Sequence, residues 1–172
     1  MQSTTPDIAS RVQIRPLHRD DRLALAAAFS HLSQETRRRR FGGLADHLRD
    51  RDLDRLTAID HHDHQALVAI APDTGAIIGV ARYIVVPGEP RVAEVAVAVD
   101  DDWQGRGIGR RLMRELGESA RAEGVTRLIA YVEADNLPVR RWIARAGGVA
   151  QDREASVYSL SLDRPGEQRR AA

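Results

Sequence analysis

The segment that most constrains the fold of this chain spans residues 94–114. It begins with six residues, EVAVAV, whose nearly continuous apolar character predicts a strand buried on both faces. Gly105, Gly107 and Gly109 follow, and then a run with apolar residues at helical spacing. The first amides of a helix have no intrahelical acceptor, and the helix dipole favours an anion such as a phosphate there. We therefore predict that a phosphate-bearing cofactor binds at this loop.

The spacing of the glycines narrows the choice of cofactor. A dinucleotide-binding turn needs a third glycine where Arg110 stands, and a nucleotide P-loop ends in Gly-Lys-Ser/Thr. Neither pattern is present. Gln104, Gly107 and Gly109 instead match Gln/Arg-x-x-Gly-x-Gly/Ala directly after an apolar strand. This motif resembles the coenzyme A pyrophosphate loop of the GNAT acetyltransferase superfamily.

The resemblance implies that acetyl-CoA is the co-substrate, with its pyrophosphate on the loop. Strand amides near Val97 and Val99 are expected to pair with the pantetheine arm, and a free amide there to polarise the thioester oxygen. The predicted cofactor-binding residues are Val97, Ala98, Val99, Gln104, Gly105, Arg106, Gly107, Ile108, Gly109, Arg110 and Asn136.

The second half of the chain is similar to the superfamily's closing motif of Asn, a tyrosine-bearing helix and Gly-Phe. Asn136 and Gly147 match it, but Ile143 stands in place of the tyrosine and Gly148 in place of the phenylalanine. That tyrosine is the usual proton donor to the departing thiolate, so proton return through water is expected here. Tyr131 and Tyr158 are possible substitutes, although both are also typical of strand core residues with hydrogen-bonded hydroxyls.

Composition and charge exclude several function classes. The sequence of 172 residues has 26 basic and 25 acidic side chains, so a general nucleic-acid or membrane-binding field is not expected. It has no cysteine, which excludes a disulfide framework and a thiol nucleophile. We expect a cytoplasmic protein, because no apolar run is long enough to span a bilayer and the N-terminus is unlike a signal peptide.

Apolar periodicity predicts the other elements. Strands are expected at residues 12–15, 65–71, 76–86, 93–99 and 128–132, with a turn at 87–90 and a closing hairpin within 149–162. Helices are expected at residues 22–30, 33–41 and 44–59, after the glycine loop as far as Gly124, and between Asn136 and Gly147.

These elements predict one domain over residues 11–163, between flexible tails at residues 1–10 and 164–172. The resemblance implies an α+β fold with a mixed, mostly antiparallel central sheet, a parallel central strand pair and flanking helices. The cluster from His61 to His64 predicts a polar turn, and no metal site is expected. Arg37 to Arg40 predict either a solvated helix with ion pairs or recognition of an acidic partner or of the cofactor's phosphates.

Three segments suggest one branch of the superfamily: IRPLHRDD at residues 14–21, LSQETRRRRF at 32–41 and AEVAVAV at 93–99. They resemble the catalytic domain of bacterial Pat-type protein lysine acetyltransferases. Those enzymes acylate the active-site lysine of AMP-forming acyl-CoA synthetases. The resemblance therefore implies an acyl-CoA synthetase lysine as a possible protein substrate.

Glu94 is the candidate general base. An acid within an apolar strand is partly desolvated, which makes its carboxylate a better base, and its position leads toward the predicted phosphate loop. The alternative is that Glu94 faces solvent or pairs with an arginine. We expect an acetyl-CoA-dependent N-acetyltransferase that acts on a primary amine, preferably a protein lysine. The other hypotheses are a small-molecule amine acetyltransferase and a non-catalytic acyl-CoA-binding sensor.

Overall fold

The computed structural model describes residues 11–41, 47–152 and 156–163, and the predicted tails lie outside these ranges. Within them no helix is both long and apolar enough to cross a bilayer. The strands are β1 (Gln13–Pro16), β2 (His64–Ile70), β3 (Ile77–Val86), β4 (Glu89–Val99), β5 (Arg127–Tyr131), β6 (Val149–Ala150) and β7 (Val157–Ser161). The helices are α1 (Arg22–His31), α2 (Gln34–Phe41), α3 (Asp50–Thr57), α4 (Ile108–Ala122) and α5 (Leu137–Arg145).

The strands form one sheet in the order β1-β2-β3-β4-β5-β7-β6. Every neighbouring pair is antiparallel except β4 and β5, which run parallel. Helix α4 connects these two strands, as a parallel pair requires. The predicted mixed and mostly antiparallel sheet with a parallel central pair is confirmed.

Helix α4 covers one face of the sheet. Its Leu112, Leu116 and Ala120 are spaced four residues apart, so they share one side of the helix, and all three are fully buried. They belong to the largest of the three hydrophobic clusters in the described residues, which includes Leu67 and Ala81 from the sheet. Burial of a large apolar side chain contributes roughly 1.5–3 kcal/mol. This face is therefore a major source of stability.

A smaller cluster covers the opposite face. Helices α1 and α3 contribute Leu25 and Leu53, which pack with Ala66 and Val68 of β2. Helix α2 lies nearby against β4. Arg82, in the middle of β3, is buried on this same face. The second core therefore includes a charged side chain.

Two elements differ in extent from the prediction. Helix α3 begins at Asp50 rather than residue 44, because the backbone of Arg49 is extended and Asp52 accepts a hydrogen bond from its amide. Residues 42–46 lie outside the described part of the chain. Strand β4 begins at Glu89 rather than residue 93, since Gly88, with a φ of 83°, closes a tight turn after β3.

Candidate functional site

Strand β4 is paired along its two edges to different extents. Its ladder with β3 continues to Val99, whereas its parallel ladder with β5 ends at Val95. One edge of residues 96–99 is therefore left open. The free amides and carbonyls of a strand edge can bind an extended chain through β-type hydrogen bonds. Val97, Ala98 and Val99, the strand residues of the predicted cofactor site, all lie in this open half.

The early end of β5 also changes the burial of β4. Our prediction of a strand buried on both faces is wrong, because residues 95–99 are only partly buried. Val97 and Val99 pack against the α4 core, while Ala98 faces the opposite side of the sheet. Val97 and Val99 can therefore contact a cofactor mainly through the backbone.

Glu94 lies in the paired half, next to the point where β5 ends. Its side chain is exposed, so the expectation that an apolar strand would desolvate it is wrong. Glu94 pairs in register with Ile84 and Ile129, so these side chains share the face opposite α4. Helices α1 and α3 pack on β2 and β3 and leave Glu94 uncovered. A ligand approaching this face can therefore reach its carboxylate.

Glu94 and the glycine loop lie at opposite ends of an extended site. Glu94 and Val99 are five positions apart on the strand, a distance of about 16 Å at 3.3 Å per residue. The loop begins immediately after β4, with one turn of 3₁₀-helix before its first glycine. A long cofactor lying along the open edge could therefore contact the loop at one end and approach Glu94 with the other.

Different structural features explain why glycine stands at each of the three loop positions. Gly105 and Gly107 have φ values of 72° and 82°, in the left-handed region that favours glycine, and Gly107 is the residue that precedes α4. Gly109 does not have a positive φ. A Cβ at Gly109 would lie 3.5 Å from Cγ2 of Val99, which is ordinary van der Waals contact. The fold therefore does not require glycine at 109, and a close approach by a ligand would explain it.

The side chains around the loop differ in accessibility. Arg106 and Arg110 are exposed, whereas Ile108 is 2% exposed and belongs to the α4 core. Ile108 can therefore contribute its backbone amide but not its side chain. Arg106 donates a hydrogen bond to the carbonyl of Asp102 and lies over the Trp103 ring. Its guanidinium is thus held beside the start of α4, where it can contact an anion.

Asp101, which is not among the predicted site residues, joins α2 to the loop. Its carboxylate accepts hydrogen bonds from the amide and hydroxyl of Ser33 and from the hydroxyl of Thr36, each at 2.8 Å. Burial alone would raise the pKa of Asp101, but these hydrogen bonds lower it overall. Gln104 Nε2 donates to the carbonyl of Val99 at 3.0 Å. No local sequence pattern predicts the contact between Ser33 and Asp101, because the two residues are 68 positions apart.

The arginines of α2 do not all make the same kind of contact. Arg38 and Arg39 form ion pairs with Glu133 and Asp135, which follow β5, at N–O distances of 2.8–3.8 Å. These two arginines therefore match the predicted structural role on an ion-paired helix. Arg40 instead lines a cavity beneath the helices. Helix α2 is thus attached on both sides of the open edge of β4. It contacts Asp101, which follows β4, and the acidic residues that follow β5.

Asn136 and the tyrosines of the closing segment lie in different environments. Asn136 precedes α5, but its side chain makes no capping hydrogen bond and is partly exposed. Tyr158 is buried, and its hydroxyl accepts a hydrogen bond from Arg140 Nε at 2.8 Å, as expected for a core residue. Tyr131 is 64% exposed, so the core interpretation is wrong for it. It lies two residues after Ile129 at the end of β5, on the face that carries Glu94.

The histidine-rich segment forms the predicted polar turn before β2. His62 Nδ1 lies 2.7 Å from a carboxylate oxygen of Glu123, and this contact raises the pKa of His62. His64 accepts a hydrogen bond from Arg82. In the described ranges, His, Asp and Glu side chains form no cluster suited to a metal ion.

Two curated relatives cover most of this chain. The acetyltransferase Pat of Mycolicibacterium smegmatis is 37% identical over 133 residues, which is 77% of this chain and 40% of that protein. The acetyltransferase PA5475 of Pseudomonas aeruginosa is 33% identical over 162 residues, which is 91% of this chain and 87% of that protein. The chain therefore spans less than half of the first relative and most of the second.

A solved structure and a family model agree with these relatives. The GNAT domain of S. lividans PAT superimposes with a TM-score of 0.78 at 28% identity, covering 87% of this chain and 89% of that one. The model of the acetyltransferase (GNAT) family matches residues 27–147, which include β4, the glycine loop, α4 and β5. The chain belongs to the acetyltransferase (GNAT) family.

Proposed function

We propose that this protein transfers an acetyl group from acetyl-CoA to a primary amine, with Glu94 as the general base. The observation that carries the proposal is the exposed Glu94 carboxylate beside the half of β4 that β5 leaves unpaired. The open edge leads directly to the glycine loop and the start of α4, where an anionic pyrophosphate is favoured. Membership of the GNAT family supports acetyl transfer as the reaction. The cytoplasmic location of the protein stays a prediction.

The proposed chemistry is attack of the neutral amine on the thioester carbonyl. A lysine amine with a pKa of 10.4 is neutral in only about one molecule in 2,500 at pH 7, so a base in reach of its proton accelerates attack. In our proposal Glu94 accepts this proton directly or through one water. The carbon–nitrogen bond forms, the carbon–sulfur bond breaks, the CoA thiolate takes a proton from water, and Glu94 returns its proton to the solvent. A free β4 amide would polarise the thioester oxygen.

A protein lysine is our preferred acceptor. The support is the relation to the acetyltransferase Pat, although the chain spans only 40% of that relative's length. An exposed base on an open sheet face also suits a side chain presented by another protein. A lysine of an acyl-CoA synthetase is therefore the first acceptor to try, a small amine is the alternative, and a non-catalytic acyl-CoA sensor is the second alternative.

Replacement of Glu94 tests the mechanism. Glu94→Gln keeps the side-chain volume but not the ability to accept a proton, so turnover of acetyl-CoA with an amine should fall by about 100-fold to 10,000-fold near pH 7. The deficit should shrink at alkaline pH, where more of the amine is already neutral. Glu89→Gln is the matched control, because Glu89 is exposed on the same strand and pairs only with Arg127 in the described structure.

Two measurements complete this experiment. Acetyl-CoA affinity, measured by calorimetry, should be the same in both variants and the parent. If Glu94→Gln stays within twofold of the parent at pH 7, the base assignment is wrong. If no amine or protein of a broad panel supports thiol release while acetyl-CoA binds, the sensor hypothesis replaces the enzyme hypothesis.

Mass spectrometry tests the acceptor. On incubation with the protein and acetyl-CoA, a substrate synthetase should gain one acetyl group and lose its adenylating activity. The sequence contains no lysine, so every acetyl-lysine peptide in the mixture must come from the partner. The Glu94→Gln variant is the control for non-enzymatic acetylation. Acetylation of small amines but of no tested synthetase would favour the small-molecule alternative.

A further inference from the structure

A small cavity lies between helices α1 to α3 and the sheet. Its volume is about 40 Å³, and most of its wall is apolar, including Phe29 and Leu56. Two arginines also line it, Arg82 from the middle of β3 and Arg40 from the end of α2. The acetyl transfer proposed above uses neither side chain. A largely apolar cavity with two guanidinium groups therefore needs its own explanation.

Arg82 is the more deeply buried of the two arginines, with 5% of its surface exposed. One Nη donates to the carbonyl of Leu56 at 3.1 Å and lies 3.2 Å from Nε2 of His64. Because Nδ1 of His64 donates to the carbonyl of Ala58, Nε2 is the acceptor of a neutral imidazole. The Nε of Arg82 is buried and has no hydrogen-bond partner in the described structure. In the described structure both hydrogen-bond partners of Arg82, the carbonyl of Leu56 and the imidazole of His64, are thus neutral.

Arg40 adds a second positive charge to the same cavity. Its guanidinium carbon lies 4.7 Å from the centroid of the Phe41 ring. In residues 11–41, 47–152 and 156–163, neither arginine forms an ion pair with a carboxylate. Asp100 also lines the cavity, but its carboxylate accepts a hydrogen bond from the amide of Asp102. The described cavity thus holds two cations and one carboxylate that caps the next turn.

This arrangement is electrostatically costly without a bound anion. Burial lowers the pKa of Arg82 to about 9, with a further contribution from the charge of Arg40. Burial also lowers the pKa of Arg40 to about 10. Both directions show that the surroundings disfavour the positive charges. An anion between the two groups would offset the lost hydration and satisfy the free Nε.

We propose that Arg40 and Arg82 bind a carboxylate group in this cavity. A planar carboxylate matches the fork of donors on a guanidinium, and it can bridge two of them. The volume suits a small group, since a cavity of about 10–15 Å³ already holds one water molecule. The apolar wall suits the aliphatic carbons that a carboxylate carries. The ligand class is therefore a small carboxylic acid or a carboxylate-bearing end of a larger molecule.

The position of the cavity suggests where the carboxylate comes from. Arg82 pairs with Ala96 of β4, two residues after Glu94 and on the same face of the sheet. Diagonal neighbours of this kind are about 7–8 Å apart at their Cα atoms. A carboxylate on the acetyl acceptor could therefore occupy the cavity while its amine approaches Glu94. This source rests on the proposed function, whereas binding of a free carboxylate does not.

Thermal unfolding with simple ligands tests the site. Acetate is the probe, and acetamide is its uncharged counterpart of nearly equal size, with ionic strength held constant by HEPES. Acetate should raise the Tm of the parent by roughly 2–4 °C at concentrations well above its Kd, whereas acetamide should not. Arg82→Met and, independently, Arg40→Met should abolish the shift. Arg55→Met is the matched control, because Arg55 is exposed on α3, and it should keep the shift.

The outcomes separate the proposal from the acetyl transfer. Equal shifts in the parent and both cavity variants would overturn it, as would no shift in the parent. Neither result bears on turnover. If acetate binds the cavity, its effect on the kinetics identifies the source: competition with the amine acceptor indicates that the acceptor carries the carboxylate, and unchanged KM for the acceptor indicates a separate ligand.

Discussion

The two faces of the sheet differ in what covers them. On one face α4 provides a continuous apolar side, and Leu112, Leu116 and Ala120 are all fully buried. On the other face three short helices leave a cavity with Arg40 and Arg82, and Glu94 is exposed. The first face is organised for stability. The second contains the groups that can bind or react, so we expect mutations on the two faces to have different consequences.

The largest expected effect is on the α4 face. Leu116→Ala should lower the free energy of unfolding by about 2–5 kcal/mol, because it leaves a cavity in a fully packed core. Arg82→Met on the opposite face should change it by less than about 1 kcal/mol or raise it, because it removes a buried charge that has no ionic partner in the described structure. Urea unfolding of both variants measures the difference. Equal destabilisation would show that the two faces do not differ in this way.

The next effect concerns the loop that lies at the edge of both faces. Gly109→Glu should lower acetyl-CoA affinity at least tenfold, about 1.4 kcal/mol, because its side chain and charge would obstruct the pyrophosphate. Its stability should change little, since the Cβ position makes only ordinary contact. Gly107→Val should instead lower stability as well, because valine is strained at a φ of 82°. Calorimetry and unfolding together test this, and unchanged affinity in a folded Gly109→Glu protein would exclude the loop from the cofactor site.

The smallest effect is the pH dependence of two neighbouring histidines. Burial, aided by Arg82, lowers the pKa of His64 below its ordinary 6.5, so its contribution to stability is present above pH 6.5 and is lost as the pH falls through the pKa of the folded state. The hydrogen bond with Glu123 raises the pKa of His62, so its contribution is present below pH 6.5 and is lost as the pH rises through the raised pKa.

Unfolding curves between about pH 5 and pH 8 check these opposite signs. His64→Gln should reduce the loss of stability on acidification, whereas His62→Gln should reduce the loss on alkalinisation. The His62 effect should also weaken at high salt, because this contact is exposed. The same slope in both variants would contradict the different environments of the two side chains.

The sequence predicted the parts of the molecule that depend on local patterns. The apolar runs of β2 and β3, the spacing of Leu112 and Leu116 and the glycines before α4 all have short-range physical reasons. The exposure of Glu94 has no such short-range cause. It depends on where β5 ends and on which strands α1 and α3 cover, and EVAVAV looks the same in either case.

The cavity was missed for a similar reason. Arg82 lies in the apolar run IIGVARYIVV, where a single arginine is usually exposed at one face of a strand. Its burial follows from α3, which provides the carbonyl of Leu56, and from His64 on the neighbouring strand. Arg40 was one of four arginines that the sequence could not distinguish. The tertiary contacts of these residues, rather than their spacing, determine their roles.

The attachment of α2 has a consequence for how the protein folds. Ser33 bonds to Asp101 and Arg38 to Glu133, contacts that join residues 68 and 95 positions apart. Contacts between such distant residues close large loops and tend to slow folding, whereas the hairpins and α4 can form from nearby residues. During synthesis, α2 emerges before β5 and cannot make its contact with Glu133 until the chain has been extended past β5. We therefore expect the region around the open edge of β4 to be the last part of the molecule to acquire its native contacts.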